Sequence, residues 1–177
     1  MNRTRSTGAG RAAREVALMG LLFATAMVLS FVEGLLPVLP MLPPGFKLGL
    51  SNIVTMYALF ALGPRQGFLL AILKSGFVFI TRGFVSAMMS LSGGIVSVLC
   101  MMLVSALIGS KKDYLLLSIF GAVAHNAGQI IAAIFVLGTV KVVGYLPIVI
   151  LAGIVMGVVT GKMLQVVMPY INRLKRD

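Results

Sequence analysis

Long apolar runs, separated by short breaks rich in glycine, proline or charge, dominate the chain. Six such runs lie at 16–36, 48–63, 67–80, 85–109, 115–138 and 142–168. A helix needs about 20 mostly apolar residues to cross the hydrocarbon core of a bilayer, and the second and third runs fall short of that. We expect these two helices to tilt or to extend through their polar flanks. The pattern predicts an all-α polytopic membrane protein built as a bundle of six transmembrane helices.

Composition agrees with a membrane protein and argues against other classes. Of 177 residues, 59% are hydrophobic and 11% charged, and the mean hydropathy is +1.07. The net charge of +11 does not indicate nucleic acid, because the basic residues sit in the tails and at the ends of the runs, as orientation in a lipid bilayer requires. The single Cys100 lies in an apolar run, so neither a disulfide framework nor a cysteine metal site is available. We predict no metal and no cofactor.

The distribution of basic residues predicts the orientation. If the amino terminus is inside, most basic residues fall on the cytoplasmic side, and the outer side receives only Lys47, Arg82 and Lys141. This asymmetry favours a cytoplasmic-membrane protein with both termini in the cytoplasm. The chain then divides into a basic tail (1–14), a membrane domain (15–170) and a second basic tail (171–177). The proline-rich stretch 37–47 becomes an outer loop.

Small residues recur along one face of the first helix and again in the last. In the first helix they are Ala13, Ala17, Gly20 and Ala24. Such a stripe lets another helix approach closely. It either packs within the bundle or docks a separate membrane protein. In the last helix a glycine recurs every fourth residue from Gly153 to Gly161, and there we expect packing within the bundle.

Polar side chains interrupt the apolar runs at comparable depth. The string GAVAHNAGQ at 121–129 carries the only histidine, and helical spacing places its three polar side chains on roughly one face. Four helices and their flanks supply such groups in a cluster that opens outward. The predicted ligand-binding residues are Lys47, Asn52, Lys74, Arg82, Ser90, Ser92, His125, Asn126 and Gln129. Hydrogen bonding between helices is the alternative use of the last three.

Lys74 indicates what the cluster binds. A lysine in hydrocarbon costs about 2.5 to 3.5 kcal/mol on insertion scales, so we expect it to face a cavity. Within the apolar runs the only acidic residue is Glu33, and the cations outnumber it. An anionic ligand with phosphate or carboxylate groups would balance them. Replacing Lys74 with methionine is then expected to preserve folding and weaken binding.

The chain resembles the Gx transporter family, also called heptaprenyl diphosphate synthase component I, in three sequence strings that occur in this order. They are KLGLSN at 47–52, SLSGG at 90–94 and HNAGQ at 125–129. The resemblance spans nearly the whole membrane part. It implies a six-helix protein similar to the substrate-binding S components of energy-coupling factor transporters. In those systems the small-residue face of the first helix meets a transmembrane coupling subunit driven by ATPases, and substrate enters from outside.

The enzyme name of that family is not matched by any catalytic motif. Prenyl diphosphate synthases hold diphosphate through magnesium on aspartate-rich motifs, whereas the four acidic residues here, Glu15, Glu33, Asp113 and Asp177, are far apart. No Walker A sequence is present, so ATP use would come from partners. We therefore expect no catalytic residues.

The sequence favours a membrane subunit that captures a small anionic metabolite from outside. Two alternatives stay open. One is a noncatalytic membrane component associated with heptaprenyl diphosphate or menaquinone synthesis. The other is a membrane subunit of a flavin-trafficking or redox assembly.

Overall fold

A computed structural model describes residues 8–35, 49–109 and 113–174 of the chain. Throughout these ranges the secondary structure is helical, with six α-helices and a short 3-10 helix between the last two. They are α1 (Gly8–Leu35), α2 (Asn52–Ala61), α3 (Pro64–Arg82), α4 (Phe84–Ile108), α5 (Tyr114–Leu137), the 3-10 helix (Val140–Tyr145) and α6 (Leu146–Leu174). The all-α prediction is confirmed. The predicted outer loop 37–47 and the chain ends lie outside the described ranges.

The helix bounds depart from the apolar runs at the start of the first run, at the end of the last run and around the short ones. α1 begins at Gly8, inside the predicted basic tail, and α6 continues to Leu174. α2 spans only 10 residues, because the chain at its start forms a turn in which the amide of Asn52 donates to the carbonyl oxygen of Gly49 (2.9 Å). α3 extends to 19 residues.

Both ends of α3 follow from local chemistry. Pro64 opens the helix, where its missing amide hydrogen costs nothing. Gly83 ends it with φ of 82°, a conformation that favours glycine, and α4 starts at the next residue. The extension through polar flanks expected for this helix is therefore observed.

Four helical segments of the described chain are long and apolar enough to cross a membrane by themselves. They are Ala12–Leu35, Phe84–Ile108, Tyr114–Leu137 and Val140–Pro169. α2 is too short, and α3 carries Lys74 in its middle. Large apolar side chains such as Leu107, Phe135 and Ile80 point away from the bundle, as expected for contact with lipid. The chain is an integral membrane protein.

α5 packs against both α4 and α6. The contact with α6 is close because a Cβ at Gly157 would lie 2.6 Å from the Cα of Ile119. Gly153 and Gly161 likewise face α5. The glycines of the last helix thus pack within the bundle, as the sequence predicted.

α1 lies parallel to α3 at the periphery and is tied to it at both ends. Near the start of both helices the Gln66 side-chain amide donates to the Glu15 carboxylate (2.5 Å). Near their far ends the Arg82 guanidinium donates to the Ser30 carbonyl oxygen (2.5 Å). We call the end of the bundle where α1 stops and α2 begins the loop end, and the opposite end the termini end.

Candidate ligand-binding site

At the loop end, the first described residue after α1 is held by a buried carboxylate. The backbone amide of Gly49 donates to Oε1 of Glu33, which lies two residues before the end of α1. The Glu33 side chain is only 7% exposed. This bond joins the residues just before α2 to α1.

Asn52 and His125 adjoin Gly49. A Cβ at Gly49 would lie 3.6 Å from Cδ2 of His125 and 3.9 Å from Cβ of Asn52. The side chains of Asn52 and His125 are 4% and 3% exposed. Residues from α1, α2 and α5 therefore converge beneath the start of α2.

α4 comes close to His125 because it presents a glycine there. A Cβ at Gly93 would lie 2.9 Å from Nδ1 of the His125 ring and 2.7 Å from the backbone carbonyl oxygen of His125. One turn along α5, a Cβ at Gly128 would lie 2.9 Å from the Cα of Gly93. Any larger residue at Gly93 would displace the imidazole, so this glycine fixes the position of the ring.

A hydrogen-bonded chain positions the Asn52 side chain. Its Nδ2 donates to the hydroxyl of Ser97 on α4 (3.2 Å), and that hydroxyl donates to the carbonyl oxygen of Gly121 on α5 (2.8 Å). Asn52 is the first residue of α2, and this chain holds its side chain against α4 and, through Ser97, α5.

Lys74 lies in the interior of the bundle on the buried face of α3, with its side chain 2% exposed. It does not face lipid, in agreement with the cost of such an arrangement. The Glu33 carboxylate acts on it electrostatically. The only acidic residue within the apolar runs therefore balances part of the charge of this buried cation.

Other predicted site residues serve as contacts between helices. The hydroxyl of Ser92 donates to the carbonyl oxygen of Gly128 on α5 (2.8 Å), and Nδ2 of Asn126 donates to the carbonyl oxygen of Val149 on α6 (2.7 Å). For Asn126 the alternative of hydrogen bonding between helices is the one observed. Arg82 is engaged with α1 through Ser30.

Three predicted site residues remain. Ser90 on α4 and Gln129 on α5 are buried, on the helices that carry Gly93 and His125. Lys47 belongs to the stretch before Gly49 that the structure does not describe.

Sequence reasoning omitted two residues that the structure brings into the site. From the sequence, Glu33 was considered only as the one acidic residue within the apolar runs. Placing a carboxylate in the membrane costs free energy just as placing a lysine there does, so Glu33, like Lys74, indicated a polar partner. Ser97 lies seven residues after Ser90, on the same helical face. This spacing from Ser90 could have identified Ser97 as a site residue from sequence.

The small-residue stripe of α1 faces away from the bundle. Ala13, Ala17, Gly20 and Ala24 are all exposed, and a Cβ at Gly20 would meet nothing within 4 Å. Beside it, a groove of about 470 Å³ runs between α1 and α3, lined mainly by apolar side chains such as Met19, Phe23 and Leu69. The described helices therefore leave this stripe uncovered.

The described acidic residues are dispersed. Glu15 bonds Gln66 at the termini end, Glu33 lies at the loop end, and Asp113 caps the start of α5 through the amides of two following residues. Among the described residues no three histidine, cysteine or acidic side chains are grouped as metal ligands would be.

Residues 22–167 match the family model described as heptaprenyl diphosphate synthase component I. The chain belongs to this family. The match confirms the resemblance carried by the three sequence strings. A comparison with proteins of curated function finds no match.

The fold of this heptaprenyl diphosphate synthase component I family member is similar to that of a solved transporter subunit. The structure described as "Structure and mechanism of the S component of a bacterial ECF transporter" superposes with a TM-score of 0.61 at 21% sequence identity, covering 93% of this chain and 96% of that one. At this identity the likeness shows a shared fold across nearly the whole of both chains.

Proposed function

We propose that this protein is the membrane-embedded substrate-binding subunit of a transporter, which captures a small anionic metabolite from outside the cell. The observation that carries the proposal is the convergence of buried Glu33, Asn52 and His125 around Gly49, with buried Lys74 under the electrostatic influence of Glu33. Ionisable groups inside a membrane domain are costly and mark binding or translocation sites. The fold shared with an ECF S component supports the same function.

The proposed orientation places the loop end outside and both termini in the cytoplasm. The asymmetry of basic residues supports it. In that orientation the site opens outward at the start of α2. Ser90, Arg82 and Gln129 are proposed to line or approach the entry, with Lys74 and His125 deeper in the bundle. Lys47, outside the described ranges, stays a proposed ligand-binding residue.

We further propose that the α1 stripe docks a transmembrane coupling subunit that works with ATPases. Its small residues are exposed in the isolated chain, and small residues let helix backbones approach closely in a membrane, where no hydrophobic force drives association. The site and the stripe share α1, since Glu33 lies on the same helix. Ligand capture and partner contact are thereby connected through one helix.

Copurification tests the docking surface. Ala17→Leu adds bulk to the stripe without touching the interior, and Ala106→Leu adds the same bulk at an exposed position on α4. The tagged protein is extracted gently from its native membranes and bound proteins are identified. We expect Ala17→Leu to lose a transmembrane protein and ATPases that wild type and Ala106→Leu retain. Equal recovery in all three would contradict docking through the stripe.

A second candidate is a noncatalytic membrane component associated with prenyl diphosphate synthesis. The family description favours it, and so does an apolar groove of about 310 Å³ between α1, α2 and α6, lined by residues that include Leu22, Ile53 and Leu164. Such a groove suits a hydrocarbon chain. Recovery of a soluble synthase in place of ATPases in the copurification would support this second function.

A further inference from the structure

The second oxygen of the Glu33 carboxylate has no hydrogen-bond partner among the described residues. Oε1 accepts from Gly49, but Oε2 is buried with none. A buried carboxylate oxygen without a donor carries a large desolvation cost. Since Glu33 is already held at its other oxygen, it presents Oε2 as a fixed acceptor.

Asn52 presents a second acceptor in the same region. The Ser97 hydroxyl donates to the carbonyl oxygen of Gly121 and therefore must accept from Asn52, which orients the Nδ2 of the amide toward Ser97. Oδ1 of Asn52 then points elsewhere, and it is buried without a partner in the described part of the chain. Gly49 adjoins Asn52 and bonds Glu33, so both acceptors lie around this glycine.

A simple anion does not match these groups. Lys74 would attract it, but Glu33 acts on Lys74 and would repel it. An anion also offers acceptors where Glu33 and Asn52 need donors. A ligand with an N–H group close to its anionic group would pair with both sides.

We propose that the site binds a small zwitterionic or amide-bearing acid, whose N–H donors meet Oε2 of Glu33 and Oδ1 of Asn52 while its anionic group lies toward Lys74. This inference rests on the proposed function and narrows its ligand class. A prenyl diphosphate, which lacks such donors, does not fit the site.

The test compares two probes that differ in one donor group, β-alanine and propionate. Both carry the same carboxylate, and only β-alanine adds an ammonium group. Binding to the purified full-length protein in detergent is measured by saturation-transfer NMR titration. We expect β-alanine to bind wild type at least about 10-fold more tightly than propionate, the factor that a hydrogen bond to a charged group supplies. This comparison needs no variant.

Variants then locate the donor contact. Glu33→Gln keeps an oxygen for Gly49 but removes the carboxylate, and it should reduce the advantage of β-alanine to less than about 2-fold. Ser75→Ala is the matched control, because the Ser75 hydroxyl donates to Ala71 of its own helix, and it should keep the advantage.

Equal or tighter binding of propionate by wild type would overturn the inference and leave the proposed function standing. An advantage of β-alanine that persists in Glu33→Gln would also overturn it. If neither probe binds and the natively purified protein also carries no small molecule, the proposed function fails as well.

Discussion

Removing Lys74 should now destabilise the fold, contrary to the expectation from sequence. The structure places Glu33 and Lys74 in the interior, with 7% and 2% of their side chains exposed, and the Glu33 carboxylate acts electrostatically on the Lys74 ammonium group. Lys74→Met leaves the Glu33 carboxylate buried without this countercharge. Breaking a contacting buried ion pair from one side typically costs about 3 to 5 kcal/mol. Oε2 of Glu33 has no hydrogen-bond partner among the described residues, so the two charges act at longer range and we expect a smaller loss of about 1.5 to 3 kcal/mol. For a domain of this size that corresponds to a fall of roughly 3 to 12 °C in melting temperature.

A double-mutant cycle separates this effect from loss of packing. Glu33→Gln in the Lys74→Met background removes the stranded charge while keeping the side-chain volume. The double variant should therefore be more stable than Lys74→Met alone, with a coupling energy of at least about 1.5 kcal/mol. Lys162→Met is the matched control on the exposed face of α6, and it should change stability by less than about 0.5 kcal/mol.

Circular dichroism in detergent is a suitable assay, since the chain contains no tryptophan for fluorescence. Thermal unfolding is followed for wild type, both single variants, the double variant and the control. The reasoning is refuted if Lys74→Met is as stable as wild type, or if the two single effects add within about 0.5 kcal/mol.

Two further predictions concern packing and orientation. Gly157→Ala should lower the free energy of unfolding by about 1 to 3 kcal/mol, because its Cβ would lie 2.6 Å from a backbone atom of α5. Gly20→Ala, with open space around it, should leave the melting temperature unchanged or raise it. Equal effects of the two variants on unfolding would contradict the assigned helix contacts. In a Cys100→Ala background, an impermeant thiol reagent should label Met41→Cys but not Lys112→Cys in intact cells, and the reverse pattern would invert the proposed topology.

The helices and the depth of the polar groups could be predicted from sequence because both follow from local patterns. Long apolar runs fix the number of helices, and Gly63 with Pro64 marks a boundary without any tertiary information. The burial of Lys74 follows from the cost of the alternative. These features need only the bilayer as context.

The partners of the polar groups could not be predicted, because they depend on which helices become neighbours. Asn52 and Asn126 are both amides in apolar runs, yet Asn52 has a buried acceptor at the loop end and Asn126 is bonded to α6. The contact between Glu33 and Gly49 just before α2 likewise joins residues that are 16 positions apart. The exposure of Gly20 and the close packing of Gly157 follow from the same tertiary arrangement, although both lie in stripes of small residues.

Native mass spectrometry of the protein extracted gently from its own membranes detects a bound ligand and bound partners in one measurement. We expect a species with one small polar molecule per chain, together with assemblies that contain a transmembrane coupling subunit and ATPases. His125→Ala should lose the small molecule and keep the assembly, because His125 lies in the site and away from the exposed stripe. A chain that carries no small molecule and is bound to a soluble prenyl synthase would contradict the account.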